Sequence, residues 1–121
     1  MKHEEDALQR ACVRWLRLAH PRVFAFHCPN GGKRNLAEAA RFKAMGVIPG
    51  IPDLLILEGR GLAVELKSKK GVLTDNQKTV HELLRSRGWA VAVARDLDAF
   101  VSIVNSHMNS RAVREASEIG K

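Results

Sequence analysis

Tyrosine is absent from this chain and aromatic residues make up only 5% of it. That is too few for the stacking platform on which single-strand binders lay successive bases. Its two cysteines, Cys12 and Cys28, form no CxxC pair and have no histidine at zinc-finger spacing, which argues against a zinc finger. In a reducing compartment they read as small buried hydrophobes rather than as a disulfide. No apolar run approaches the roughly 18 residues a spanning helix needs. The first ten residues, MKHEEDALQR, carry acids where a secretory signal has its apolar stretch. A cytoplasmic protein with no membrane partner is therefore expected. Acids are scarce as well: 13 Asp and Glu against 20 Lys and Arg leave a net charge of +7. With membranes set aside, the polyanion that suits such a surplus is nucleic acid.

What is present is one domain's worth of chain, 121 residues that are 45% hydrophobic and 27% charged, enough to bury a core. Residues 4–19 place Leu8, Ala11, Cys12, Trp15, Leu16 and Ala19 at helical spacing on one face, and His20-Pro21 ends that helix. A short strand is expected over 23–28, broken by Pro29-Asn30-Gly31-Gly32. An alanine-rich helix over 36–45 stops at Gly46. Strands follow over 54–57 and 62–67, joined by a turn at Glu58-Gly59-Arg60-Gly61. Thr74-Asp75-Asn76-Gln77 fits a capping box that opens a helix with Val80, Leu83 and Leu84 as its apolar face. A last strand covers 89–94, and Asp96 caps a final helix with Leu97, Phe100, Val101 and Val104 inward. The order predicts an α/β fold with an antiparallel hairpin at the centre of a mixed sheet flanked by helices. The domain is expected over 1–105, with 106–121 a polar tail or loose helix.

Chemistry is concentrated in Pro52-Asp53 and, twelve residues after Asp53, in Glu65-Leu66-Lys67. Alternation along a strand sends Glu65 and Lys67 to one face and Leu66 to the other. Two carboxylates and a lysine at the end of an apolar hairpin are costly unless something uses them. A divalent cation such as Mg²⁺, which takes carboxylate and carbonyl oxygens and keeps waters, would do so. The face of Asp53 depends on the turn. A two-residue turn at Gly59-Arg60 sets it opposite Leu66, on the wrong side, whereas an odd-length loop or a bulge returns it to Glu65 and Lys67.

The segments PGIPDLLIL and GLAVELKSKKGVLTDNQ, with Asn30-Gly31-Gly32-Lys33-Arg34 upstream and Glu5 and Gln9 in the first helix, resemble the VRR-NUC domain of the PD-(D/E)XK nuclease superfamily. The likeness runs over roughly residues 4–105, and NGGxR, PGxPD, ExK and GxLxxxQ stand in the family's order. Glu4 and Glu5 both stand near the position of the helix-1 acid, and spacing to Gln9 favours Glu5. The resemblance implies a restriction-endonuclease-like core and phosphodiester hydrolysis. It implies Mg²⁺ or Mn²⁺ on Asp53, Glu65 and the Leu66 carbonyl, with Lys67 orienting water or stabilising negative charge. Glu5 would serve a second metal or its water shell, and Gln77 would position nucleophile or ligand.

Each of these residues also has a plainer reading. Gln77 is accounted for by the capping box, and Glu5 by the helix dipole. Lys33 and Arg34 form either a solvated turn or a phosphate cradle. Arg10, Arg14 and Arg17 read as a solvated face, His27 as an ordinary strand histidine, and Lys69 and Lys70 as residues that track a nucleic-acid backbone. The reading that results is a metal-dependent DNA endonuclease. Its resemblance to stand-alone members of the family further implies a four-way junction as substrate, cut by a homodimer whose two-fold axis matches that of the junction. The alternatives are a non-catalytic DNA-binding module of the same fold and a nuclease of flapped or linear ends.

Overall fold

A computed structural model describes residues 2–29 and 36–110. Eight elements follow in chain order: α1 (Lys2–Ala19), β1 (Ala25–His27), α2 (Leu36–Ala44), β2 (Leu54–Ile56), β3 (Leu62–Leu66), α3 (Asp75–Ser86), β4 (Ala90–Ala94) and α4 (Leu97–Met108). The strands form one mixed sheet in the order β1-β2-β3-β4. β2 and β3 are the central antiparallel hairpin, β1 pairs antiparallel with β2, and β4 runs parallel to β3. The parallel pair needs a crossover, and α3 supplies it.

Strand alternation divides the layers. Leu62, Val64 and Leu66 of β3 pack with Leu54 and Ile56 of β2 against Cys12 and Leu16 of α1 and Phe100 and Val104 of α4. The opposite face, bearing Ala63 and Glu65, is covered by α3, whose His81 reaches Glu65. With helices on both sides every residue of β3 is buried. Cys12 lies inside the larger core, where burial and then the charge of Asp96 push its thiol up to about 12. It is a packing residue, as expected, and both cysteines are free thiols.

The two predicted caps are present. Thr74 Oγ1 accepts from the Gln77 N–H at 3.1 Å while Gln77 Oε1 accepts from the Thr74 N–H at 2.9 Å. Asp96 Oδ1 accepts from the Ala99 N–H at 2.7 Å. Most element ends shift by one or two residues from expectation, and three differences bear on the packing. β2 stops at Ile56, and Leu57 is exposed although its N–H still bonds the Phe24 carbonyl at 2.9 Å. On α3, Leu83 is 48% exposed and the buried positions are Val80 and His81. That helix therefore turns toward the sheet a face that carries a histidine. α4 continues through Met108, so residues 106–108 belong to it; His107 is buried there and its Nε2 donates to the Glu58 carbonyl at 2.8 Å. Among the described residues no helix is long and apolar enough to cross a membrane.

Candidate active site

The hairpin register settles the face of Asp53. Leu54 pairs with Val64, Leu55 with Ala63 and Ile56 with Leu62, which centres the connection on Gly59 and makes it the odd five-residue loop 57–61. Gly59 and Gly61 take φ of 61° and 88°, a region that glycine enters without a Cβ penalty. One step beyond Leu54 and Val64 the same register sets Asp53 opposite Glu65. The Asp53 Oδ2 accepts the Leu66 N–H at 2.7 Å. Its main-chain carbonyl accepts from the Cys28 N–H at 3.2 Å and from His27 Nδ1 at 2.7 Å. Asp53 is thus tied to both neighbouring strands at the end of the sheet where β3 finishes.

The loop that delivers Asp53 packs closely on α3. Gly50 is buried, and a Cβ there would lie 2.6 Å from the Asn76 carbonyl carbon and oxygen and 2.8 Å from the Gln77 nitrogen. With φ at 88° as well, only glycine fits. The glycine of PGIPD therefore fixes the distance between Asp53 and the start of α3.

Glu65 is 2% exposed. Burial, followed by a hydrogen bond to the Asp53 carboxyl and the charge of Asp53, pushes its carboxyl up to about 9. Lys67 opposes that rise and Glu5 adds slightly to it. His81 Nε2 lies 3.1 Å from Glu65 Oε1. Burial, then Arg85 and Lys67, lower the His81 pKa. Glu65 is thus raised and His81 lowered, so their contact is a hydrogen bond between neutral groups rather than a salt bridge. Burial and the neighbouring Asp53 carboxyl thus disfavour the charged form of Glu65, as expected for one of two carboxyls close together out of water.

Lys67 follows β3 directly; its N–H bonds the Ala94 carbonyl at 3.0 Å and the residue is 8% exposed. Buried lysine of this kind is aimed by its surroundings rather than by water. Leu66 sends its side chain into the core, and its peptide links the two site residues. Lys69 and Lys70 are exposed on the next turn. That turn is held by Arg95, which donates to the Ser68 carbonyl at 2.8 Å and the Gly71 carbonyl at 2.7 Å.

The structure brings Asp53, Glu65 and Lys67 together. Glu5 on α1 lies within electrostatic range of Glu65. Among the described residues, however, no group of three or more His, Cys, Asp or Glu side chains could hold a metal ion. A metal here would therefore rest on two carboxylates and a carbonyl, a hard oxygen set that suits Mg²⁺ or Mn²⁺ and not zinc. Gln77 has its Oε1 committed to the cap, so any contact with a ligand falls to its amide NH₂. Lys33 and Arg34 lie outside the described residues.

His81 was not expected at the site. Its signal was a polar residue four positions after Gln77, hence on the same face of α3. Arg95 was missed too, because its partners are main-chain carbonyls that leave no mark in sequence.

Opposed carboxylates and a lysine at the end of the central hairpin of a mixed α/β sheet define a nuclease-type domain. The chain belongs to the VRR-NUC family: the model of the VRR-NUC domain matches residues 1–96. A solved structure described as a VRR_NUC domain protein is similar to it, with a TM-score of 0.71 and 29% identity over 86% of this chain and 87% of that one. None of the curated proteins matches it.

Proposed function

We propose that this protein is a divalent-metal-dependent endonuclease that hydrolyses phosphodiester bonds in DNA. The observation that carries the reading is the Asp53–Glu65 pair. Glu65 is buried, hydrogen-bonded to the Asp53 carboxyl, and lies two residues from a buried lysine. A fold gains nothing in stability from such an arrangement.

Asp53, Glu65 and the Leu66 carbonyl would hold Mg²⁺ or Mn²⁺. When bound, the ion supplies a water of lowered pKa and neutralises phosphoryl charge. The chain's own residues do the positioning. The Leu66 N–H fixes one Asp53 oxygen, and His81 fixes one Glu65 oxygen. The hydrogen bond between the two carboxyls would give way as they turn toward the ion. Lys67 presents its ammonium where it can orient the attacking water and stabilise the developing negative charge. Glu5 faces the site from α1 as a partner for outer waters. Gln77 offers its amide NH₂ to the nucleophile, and Lys69 and Lys70 bear on the adjoining backbone.

The substrate proposed is branched DNA, above all a four-way junction cut by a homodimer. Two equivalent sites related by a two-fold axis match the symmetry of a junction's scissile strands. The net charge of +7 supports sequence-independent binding that weakens with salt. The test is cleavage of matched junction, flap and linear duplex substrates with Mg²⁺ and with EDTA, alongside light scattering for mass. Metal-dependent cutting strongest on the junction by a dimer supports the whole reading. Equal cutting of all three by a monomer keeps the nuclease and removes the junction specificity. Binding without cutting in Mg²⁺ and Mn²⁺ makes the protein a non-catalytic DNA-binding module.

A further inference from the structure

A groove of about 820 Å³ runs between α1 and strand β1, with Leu54 among its lining residues. On the α1 side it is lined by Arg10, Arg14 and Arg17. These were read from sequence as a solvated stripe, but the fold places a strand opposite them and makes the surface concave. Spacings of four and three residues put the three on one face of the helix, over about 10 Å along its axis at 1.5 Å per residue. Among the described residues no aspartate or glutamate lines the groove. Among the described residues none of the three guanidiniums is ion-paired. One end lies at Gln9 and His27, and His27 is the residue whose Nδ1 holds the Asp53 carbonyl. The other end lies at His20, past the end of α1.

We propose that this groove binds the phosphate backbone of a nucleic-acid strand leading to the Asp53–Glu65 site, with Arg10, Arg14 and Arg17 as its phosphate contacts. Three cations in a row, with no ion pair and no acid in the cleft among the described residues, leave a positive field that a polyanion neutralises. Guanidinium forks match phosphate oxygens in pairs. Apolar side chains on several of the other lining residues, among them Val23 and Phe26, suit sugars and bases without reading sequence. The identity of the ligand rests on the nuclease reading, while the electropositive cleft stands without it.

The experiment is fluorescence anisotropy of a labelled DNA single strand and of its duplex over a salt series in EDTA, so that nothing is cut. The variants are Arg10→Gln/Arg14→Gln/Arg17→Gln and a control, Arg60→Gln/Arg85→Gln/Arg87→Gln, which removes the same number of charges from residues that do not line the groove. Each lost phosphate contact flattens the slope of log K against log salt by about 0.7 for a single strand or 0.9 for duplex. The groove variant is therefore expected to lose about two to three units of slope, and the control much less. The strand form that loses more contacts, each slope change divided by its own per-contact value, identifies the ligand. Equal losses in both variants would assign binding to the field of the whole protein and overturn the proposal. An unchanged slope in the groove variant overturns it as well. So does an unchanged slope with a change of mass by light scattering, which would give the groove to a second copy of the chain. Should the triple variant fail to fold, Arg14→Gln alone carries the test, with an expected loss of about one contact. Hydrolysis of bis(p-nitrophenyl) phosphate by the wild-type protein in Mg²⁺, a diester too short to span the groove, reads the chemistry separately. Failure there removes the nuclease reading without touching the binding result.

Discussion

Replacing Glu65 by Gln should make the metal-free protein more stable while removing its activity. The carboxyl is pushed from 4.5 to about 9 by burial and by Asp53. A folded pKa above the unfolded one means that the native state holds the proton more tightly. The stability this contributes is complete below about 4.5 and is lost as pH rises toward 9. Each unit is worth about 1.4 kcal/mol, so by about pH 7.5 the ceiling on the loss is about 4 kcal/mol. Glutamine keeps the shape, offers His81 an acceptor and Asp53 a donor, and cannot ionise. Urea unfolding in EDTA, followed from about pH 5 to 9, should show wild-type stability falling and the Glu65→Gln variant nearly flat across that window. The variant should be the more stable protein at the alkaline end. If it is less stable there, or falls with the wild-type slope, Glu65 is not the buried, proton-holding group described above.

The remaining predictions concern its neighbours. Asp53→Asn retains the acceptor for the Leu66 N–H but removes a charge, so calorimetric Mg²⁺ or Mn²⁺ titration should show affinity lost with the fold intact; unchanged affinity would make Asp53 a turn residue only. His81→Phe leaves a buried Glu65 oxygen without its partner, at a cost of about 1–3 kcal/mol in stability. It should also weaken metal binding, and His81→Gln should restore part of both; equal behaviour of the two variants would reduce His81 to a space-filling role. Gly50→Ala forces a Cβ within 2.6 Å of the α3 backbone at a positive φ. A loss of about 3 kcal/mol or more is expected in chemical denaturation, and wild-type stability would show that the PGIPD loop does not fix the start of α3.

Features set by neighbouring residues were legible in the chain. The capping box of Thr74 and Gln77 and the Asp96 cap depend on three residues' spacing, and both formed as read. The mixed sheet with its central hairpin followed from the order of apolar runs and turn residues. The face of Asp53 stayed open, because pattern alone does not decide between a two-residue turn and a five-residue loop. His81 was passed over because Leu83 completed a plausible apolar face, and only packing shows that α3 is rotated toward Val80 and His81. The arginines of α1 were visible as a stripe, but concavity is a property of two elements far apart in sequence. The close approach of Gly50 to Asn76 was hidden for the same reason.

The central claim is that Lys67 and the carboxylate pair form a metal-dependent hydrolytic site. Its most direct test is nicking of supercoiled plasmid and of a four-way junction by wild-type protein and Lys67→Ala, each with Mg²⁺ and with EDTA. The wild type should cut only with the metal. Lys67→Ala should bind DNA with little change and cut at least about 10²–10³ times more slowly. Cleavage by Lys67→Ala near the wild-type rate, or cleavage by the wild type that persists in EDTA, would contradict the account.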